Sequence, residues 1–147
     1  MTDGNGKKIL VAIDGSKNSH KVVAHAADMA RAFQGELHIL YVSALSKQLP
    51  MPEQIEGCKT GEFCPDDPQP YTKTVLAEAL KAVPPGVQVI THDEPGDPRM
   101  VILEFAEHNG CDFIVVGSRG LGVAGLLMGS VSGYVIHKAK CPVLVVK

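Results

Sequence analysis

The chain has 147 residues, 45% of them hydrophobic and 20% charged, with a formal net charge of -2 at pH 7 and a pI near 6.3. These values describe one globular domain, spanning residues 1–147, and exclude a largely disordered chain. With no excess of positive charge and no dense run of Lys or Arg, neither nucleic acid nor an anionic membrane is an expected partner.

The opening segment, Met1 to Lys8, has no apolar stretch of the signal-peptide kind, and no apolar run approaches the roughly 18 residues of a membrane-spanning helix, so a cytoplasmic address is expected. Lys8-Ile9-Leu10-Val11-Ala12-Ile13 is a continuous apolar run ending in Asp14-Gly15-Ser16, which predicts a strand buried on both faces and then a turn. Val22, Val23, Ala26, Ala27, Ala30 and Phe33 follow at the spacing of one helix face, with Ser16 placed to cap its start and Gly35 to end it. Leu37 to Val42 reads as a second strand, completing a βαβ unit whose crossover is expected to be right-handed.

From Ser43 to Pro70 the periodicity vanishes, and five prolines with Gly57 and Gly61 predict a long surface loop. Val75, Leu76, Ala79, Leu80 and Val83 restore the helical pattern, which Pro84-Pro85-Gly86 stops before a short third strand, Val87 to Ile90. Asp97 as cap and Pro98 at the first helical position start a helix carrying Val101, Ile102, Phe105 and Ala106 on its apolar face and ending at Asn109-Gly110. Phe113 to Val116 is a fourth strand, a last helix runs through Val131, Val135 and Ile136, and Val143 to Val146 is a fifth strand. Strict alternation of strand and helix predicts an α/β fold: an open, doubly wound, Rossmann-like parallel sheet of order 3-2-1-4-5 with helices on both faces.

Cys58, Cys64, Cys111 and Cys141 form no CxxC pair and no zinc-like spacing, and a reducing compartment keeps them as thiols. Cys58 and Cys64 share the long loop and read as incidental thiols, with a redox or metal role as the alternative; Cys111 and Cys141 border strands and read as small core residues. The histidines His20, His25, His38, His92, His108 and His137 form no constellation and are read as structural or solvated. His92, followed by Asp93 and Glu94, is expected just beyond the third strand.

Ligands of open parallel sheets bind outside the carboxyl ends of the strands, where strand order reverses. Here that point lies between the first and fourth strands, bringing Asp14-Gly15-Ser16 beside Gly117-Ser118-Arg119-Gly120. The stretch from Gly117 to Ser132 is rich in glycine and serine and runs into a helix start, a composition that lets backbone N–H groups and a helix terminus approach a phosphate. It is neither a GxxxxGK[ST] loop nor a GxGxxG fingerprint after strand one. The competing reading is a tight surface loop packed by Leu126, Leu127 and Met128.

Asp112 to Leu121, Gly129-Ser130-Val131-Ser132 and Cys141 to Val146 together resemble the C-terminal signature of the universal stress protein family, as Ile9 to Ser16 and Gly96-Asp97-Pro98 resemble its earlier segments. ATP-binding members carry a glycine, two residues, a glycine, nine residues, then a glycine and Ser or Thr. Gly117, Gly120, Gly129 and Ser130 match that pattern, with eight residues rather than nine between Gly120 and Gly129. The resemblance implies ATP, or AMP or a cyclic nucleotide, as cofactor. It puts Asp14 near the adenosine and a Mg2+ ion, Val42 against adenine through its backbone, Gly117, Gly120, Gly129 and Ser130 on ribose and phosphates, Val131 and Ser132 in the phosphate turn, and Arg119 on phosphate charge.

It further implies a homodimer through the fifth strand, Val143, Leu144, Val145 and Val146, which would otherwise be an open edge unless the 43–70 loop shields it. No residue is assigned a catalytic role, since neither a phosphate-loop lysine nor a kinase-like catalytic loop is present. Three functions remain: a nucleotide-binding stress-response or signalling protein, a dimeric interaction module without nucleotide, and a slow metal-dependent ATPase.

Overall fold

Ile9, Leu10 and Val11 are wholly inaccessible to solvent, as a strand inside a parallel sheet must be when helices cover both faces. They lie in β1 (Lys8–Ile13), followed by α1 (Ser19–Ala32), β2 (Glu36–Ser43), α2 (Gln69–Leu80), β3 (Gln88–Pro95), α3 (Pro98–His108), β4 (Phe113–Gly117), α4 (Ser130–Lys138) and β5 (Val143–Val146). The structure, a computed structural model, describes residues 6–15, 18–43, 69–118 and 130–147. All four strand pairings are parallel and the order is β3-β2-β1-β4-β5, as the alternation predicts.

Two cores lie back to back across this sheet. Ile9, Val11, Leu37 and Ile39 face α1 and α2 through Val22, Ala26, Val75 and Ala79, while Leu10, Leu40, Ile114 and Val116 face α3 and α4 through Ile102, Ala106 and Val135. Burying a side chain such as Ile102 or Val135 contributes roughly 1.5–3 kcal/mol, which drives these amphipathic helices onto the sheet. Among the described residues no helix is long and apolar enough to cross a membrane.

Helix α3 follows its sequence signals. The Asp97 side chain accepts a hydrogen bond from the Arg99 N–H at 3.0 Å, Pro98 opens the helix, and Asn109 ends it ahead of Gly110 at φ 64.

Four expectations need correction. Helix α1 starts at Ser19 with Asn18 in the cap position rather than Ser16, which lies outside the described residues. The left-handed residue that ends α1 is Gln34, at φ 55, not Gly35. The Gln34 N–H donates to the Arg31 carbonyl and the Gly35 N–H to the Ala30 carbonyl, the Schellman pattern of helix termination. Gly35 is needed for a different reason: a Cβ there would run into the Lys7 carbonyl. Phe33 and Ile136, placed by periodicity on apolar faces, are 40% and 39% exposed. Phe33 stacks on Phe113 at the sheet margin instead, with ring centroids 5.1 Å apart.

The fourth correction concerns β3, which continues past Ile90 to Pro95 and pairs with β2 over eight positions. Polar side chains do not stop it, because an outer strand needs its backbone ladder with β2 more than apolar side chains. His92, Asp93 and Glu94 therefore belong to the strand rather than to a loop beyond it.

Candidate functional site

The parallel registers align the carboxyl ends of the three central strands. Ile13 lies opposite Tyr41, and Val11 opposite Val115. Continued along the strands, these registers set Val42, Asp14 and Ser118 in one row across β2, β1 and β4. Glu94 pairs with Val42 at one end of that row, and Gly117 pairs with Val146 just behind it. Residues far apart in sequence thus meet where the strand order reverses.

Each member of the row is held from below. The Ser118 N–H donates to the Val146 carbonyl at 2.9 Å and the residue is only 3% exposed, so the chain leaves β4 already anchored to β5. Gly15 has φ 84, a left-handed conformation that turns the chain off β1 immediately after Asp14. The Asp14 Oδ1 accepts a hydrogen bond from the Ser19 hydroxyl at 3.4 Å, tying the carboxylate to the first residue of α1. Val42 is buried in the core beneath α3, so what it offers upward at the strand end is its backbone.

Helix α4 starts at Ser130, with Val131 half-buried and Ser132 2% exposed in its first turn. A helix start carries unpaired N–H groups and a positive dipole end, the two properties an anion needs. Of the residues predicted for the site, the strand registers bring together Asp14, Gly15, Val42 and Gly117, while Ser130, Val131 and Ser132 open α4. Ser16, Arg119, Gly120 and Gly129 lie outside the described residues, as do Cys58 and Cys64.

The sequence reading passed over Asn18. Its side-chain Nδ2 is buried without a hydrogen-bond partner among the described residues, four positions after Asp14. Nothing in the sequence distinguishes it, because an asparagine ahead of a helix reads as an ordinary cap, yet its side chain makes no cap hydrogen bond.

Among the described residues there is no group of three His, Cys, Asp or Glu side chains able to hold a metal ion. At the opposite, amino-terminal end of β4 and β5, a cavity of about 230 Å3 is lined by Leu103, Ala106, Cys111, Ile114, Ala139 and Cys141, among others. Burial, reinforced by the neighbouring Cys141, pushes the Cys111 thiol up to about 11, and burial also raises Cys141. Both are free thiols, and protonated thiols are poor nucleophiles and poor metal ligands.

The sheet order defines a Rossmann-like α/β domain whose switch point lies between β1 and β4 at the carboxyl edge of the sheet. Residues 6–147 match the universal stress protein family, and the chain belongs to that family. It is 36% identical over 142 residues to a universal stress protein of Methanocaldococcus jannaschii, covering 96% of this chain and 82% of that protein. It is also 36% identical over 149 residues to universal stress protein YxiE of Bacillus subtilis, covering 95% and 98% of the two chains. Among solved structures, a universal stress protein in complex with cAMP aligns with a TM-score of 0.67 at 25% identity, covering 97% of this chain and 98% of that one.

Proposed function

We propose that this protein binds an adenine nucleotide, ATP in the first instance, at the carboxyl edge of its sheet and serves as a nucleotide-dependent binding module in stress response or signalling. The observation that carries this reading is the alignment of Val42, Asp14 and Ser118 in one row at the carboxyl edge of the sheet. The N6 amine and N1 of adenine fit the backbone at the end of β2, a ribose fits the Asp14 carboxylate, and phosphates fit the N–H groups of the glycine-rich segment and of α4. A similar protein solved with cAMP supports the ligand class.

In this reading Gly15, Ser16, Gly117, Arg119, Gly120, Gly129, Ser130, Val131 and Ser132 complete the pocket around Asp14 and Val42. Mg2+ binds through one or two carboxylates plus substrate phosphates, so Asp14 alone is sufficient protein contribution for a nucleotide-borne ion. The exposed Leu144 and half-buried Val143 and Val145 on edge strand β5, with Val146 beneath, are the surface through which two copies would pair. The free thiols of Cys111 and Cys141 fit a cytoplasmic address.

The experiment is to purify the protein without added nucleotide, identify any small molecule released on denaturation by mass spectrometry, and titrate the emptied protein calorimetrically with ATP, AMP and cAMP, with and without Mg2+. Saturable binding at one site per chain, lost in Gly129→Val and weakened in Asp14→Ala, is the expected result. No binding of any of the three would leave a dimeric interaction module without nucleotide.

A further inference from the structure

The titratable groups that the sequence left scattered converge on the face of the sheet beneath α3. Glu36 and His38 lie on β2 and His92 on β3, where it pairs with Leu40 in the register. Glu36 Oε1 lies 2.7 Å from His38 Nε2, and His38 Nδ1 lies 2.9 Å from His92 Nε2. The two rings are nearly parallel, at 16°, and Phe105 of α3 caps both, edge-on to His92 with centroids 4.6 Å apart. His38 is 5% exposed, so its two ring nitrogens have been given to Glu36 and His92 rather than to water.

The network fixes the protons. A carboxylate only accepts, so His38 Nε2–H donates to Glu36; in a neutral His38 the Nδ1 is then an acceptor, and His92 Nε2–H donates to it. A first added proton leaves this bond in place, because a charged ring still donates to the lone pair of a neutral one. A second would set two N–H groups head to head across 2.9 Å and two like charges on stacked rings.

We propose that the Glu36–His38–His92 array is an acid-sensitive latch, which fastens outer strand β3 to β2 while it holds at most one positive charge and releases β3 when a second proton is taken up. The groups that face it support this reading. His92 is held below the ordinary histidine value by burial first and by His38 second, with Glu94 on its own strand opposing them. On β2 the facing charge is Glu36; on β1 it is Lys8, opposite Glu36 in the register, whose ammonium is already bonded to the Asn109 carbonyl. Helix α3 offers Phe105, and its flanking Glu104 and His108 are exposed.

The sign follows from proton counting. Once β3 opens, both histidines titrate near their ordinary value, so the open state binds more protons than the closed one below about pH 6.5, and the closed state loses ground as pH falls from there toward the folded His92 value. With one proton withheld, the opening equilibrium grows by up to about tenfold per pH unit. The same proton uptake accompanies any opening that frees the array, and β3, the outer strand that the array ties to β2, is where the smallest such opening occurs.

Two measurements on the full chain test this: ring titration of His38 and His92 by NMR, and amide hydrogen exchange of Ile90 and His92 in β3 against Val11 in β1, at about pH 7.5 and 5.5. Corrected for intrinsic exchange, β3 protection is expected to fall at least about fivefold more between these pH values in the native sequence than in His92→Gln, which leaves one titrating ring. His92 is half-buried on an outer strand, which makes this variant safer for folding than the second one, His38→Gln, expected to do the same. The latch is overturned if both rings titrate independently near the ordinary value, or if His92→Gln retains the acid loss in β3.

Discussion

Replacing Gly35 with alanine adds one methyl group and is expected to be among the costliest small changes in the chain. The new Cβ would overlap the Lys7 carbonyl oxygen and lie 2.6 Å from the Lys7 nitrogen and 2.7 Å from its carbonyl carbon. All three are backbone atoms, so no side chain can rotate away. The Lys7 carbonyl also accepts the Glu36 N–H at 2.9 Å, the bond that opens the β1–β2 ladder. Overpacking costs about 1–3 kcal/mol and a lost hydrogen bond roughly 1 kcal/mol, together about 2–4 kcal/mol. For a chain of this size that lowers Tm by roughly 6–12 °C. Gly133, inside α4, is the control: a Cβ there meets nothing within 4 Å, and alanine should stabilise the protein by about 0.5–1 kcal/mol through helix propensity. Urea denaturation with a freely fitted m-value measures both. A loss below about 1 kcal/mol in Gly35→Ala would refute the close approach of the β2 entrance to Lys7.

Asp97→Ala should cost about 1 kcal/mol in the same assay, because it removes the acceptor for the Arg99 N–H at the start of α3, while Asp97→Asn recovers most of it. Cys111 should alkylate slowly with iodoacetamide, its rate rising about tenfold per pH unit and levelling only near the value of about 11 that burial imposes; a plateau near pH 9 would mean that the cavity beneath β4 is open to water. A thiol kept neutral by folding ionises more readily when unfolded. Its contribution to stability is therefore complete below the unfolded value, declines as pH rises from about 9 toward about 11, and should vanish from the pH profile of Cys111→Ala.

The apolar runs made the fold legible. Ile9 to Val11, Leu37 with Ile39 and Leu40, and Ile114 to Val116 belong to inner strands of a parallel sheet, where both faces are mostly apolar, so composition marks them. The alternation of these runs with helical periodicity then leaves little choice of topology, and the observed order β3-β2-β1-β4-β5 is the one it implies. The errors fall where side-chain pattern is not what decides. At the end of α1, Gln34 takes the left-handed position that glycine would be expected to fill, because Gly35 is required one residue later by its approach to Lys7. In β3, Thr91 to Pro95 stays in the strand through backbone pairing with Ile39 to Ser43, a cause that no local pattern records.

The row of strand ends proposed as the site was legible for the same reason as the inner strands, and its limit has the same origin as the errors. Asp14, Val42 and Ser118 share a row because they lie at the ends of strands whose registers are set by apolar packing, and the switch-point rule then says where to look. Asn18 and the Glu36–His38–His92 array depend on which side chains meet across elements. His38 and His92 lie 54 positions apart, and they become neighbours only because β3 runs past its apolar segment. Extending β3 by the polar residues Thr91 to Glu94 is thus what brings a titratable pair under α3. The acid response expected of that pair is also a test of the strand boundary, since a β3 that ended at Ile90 would leave His92 in solvent, with no reason to titrate below the ordinary histidine value.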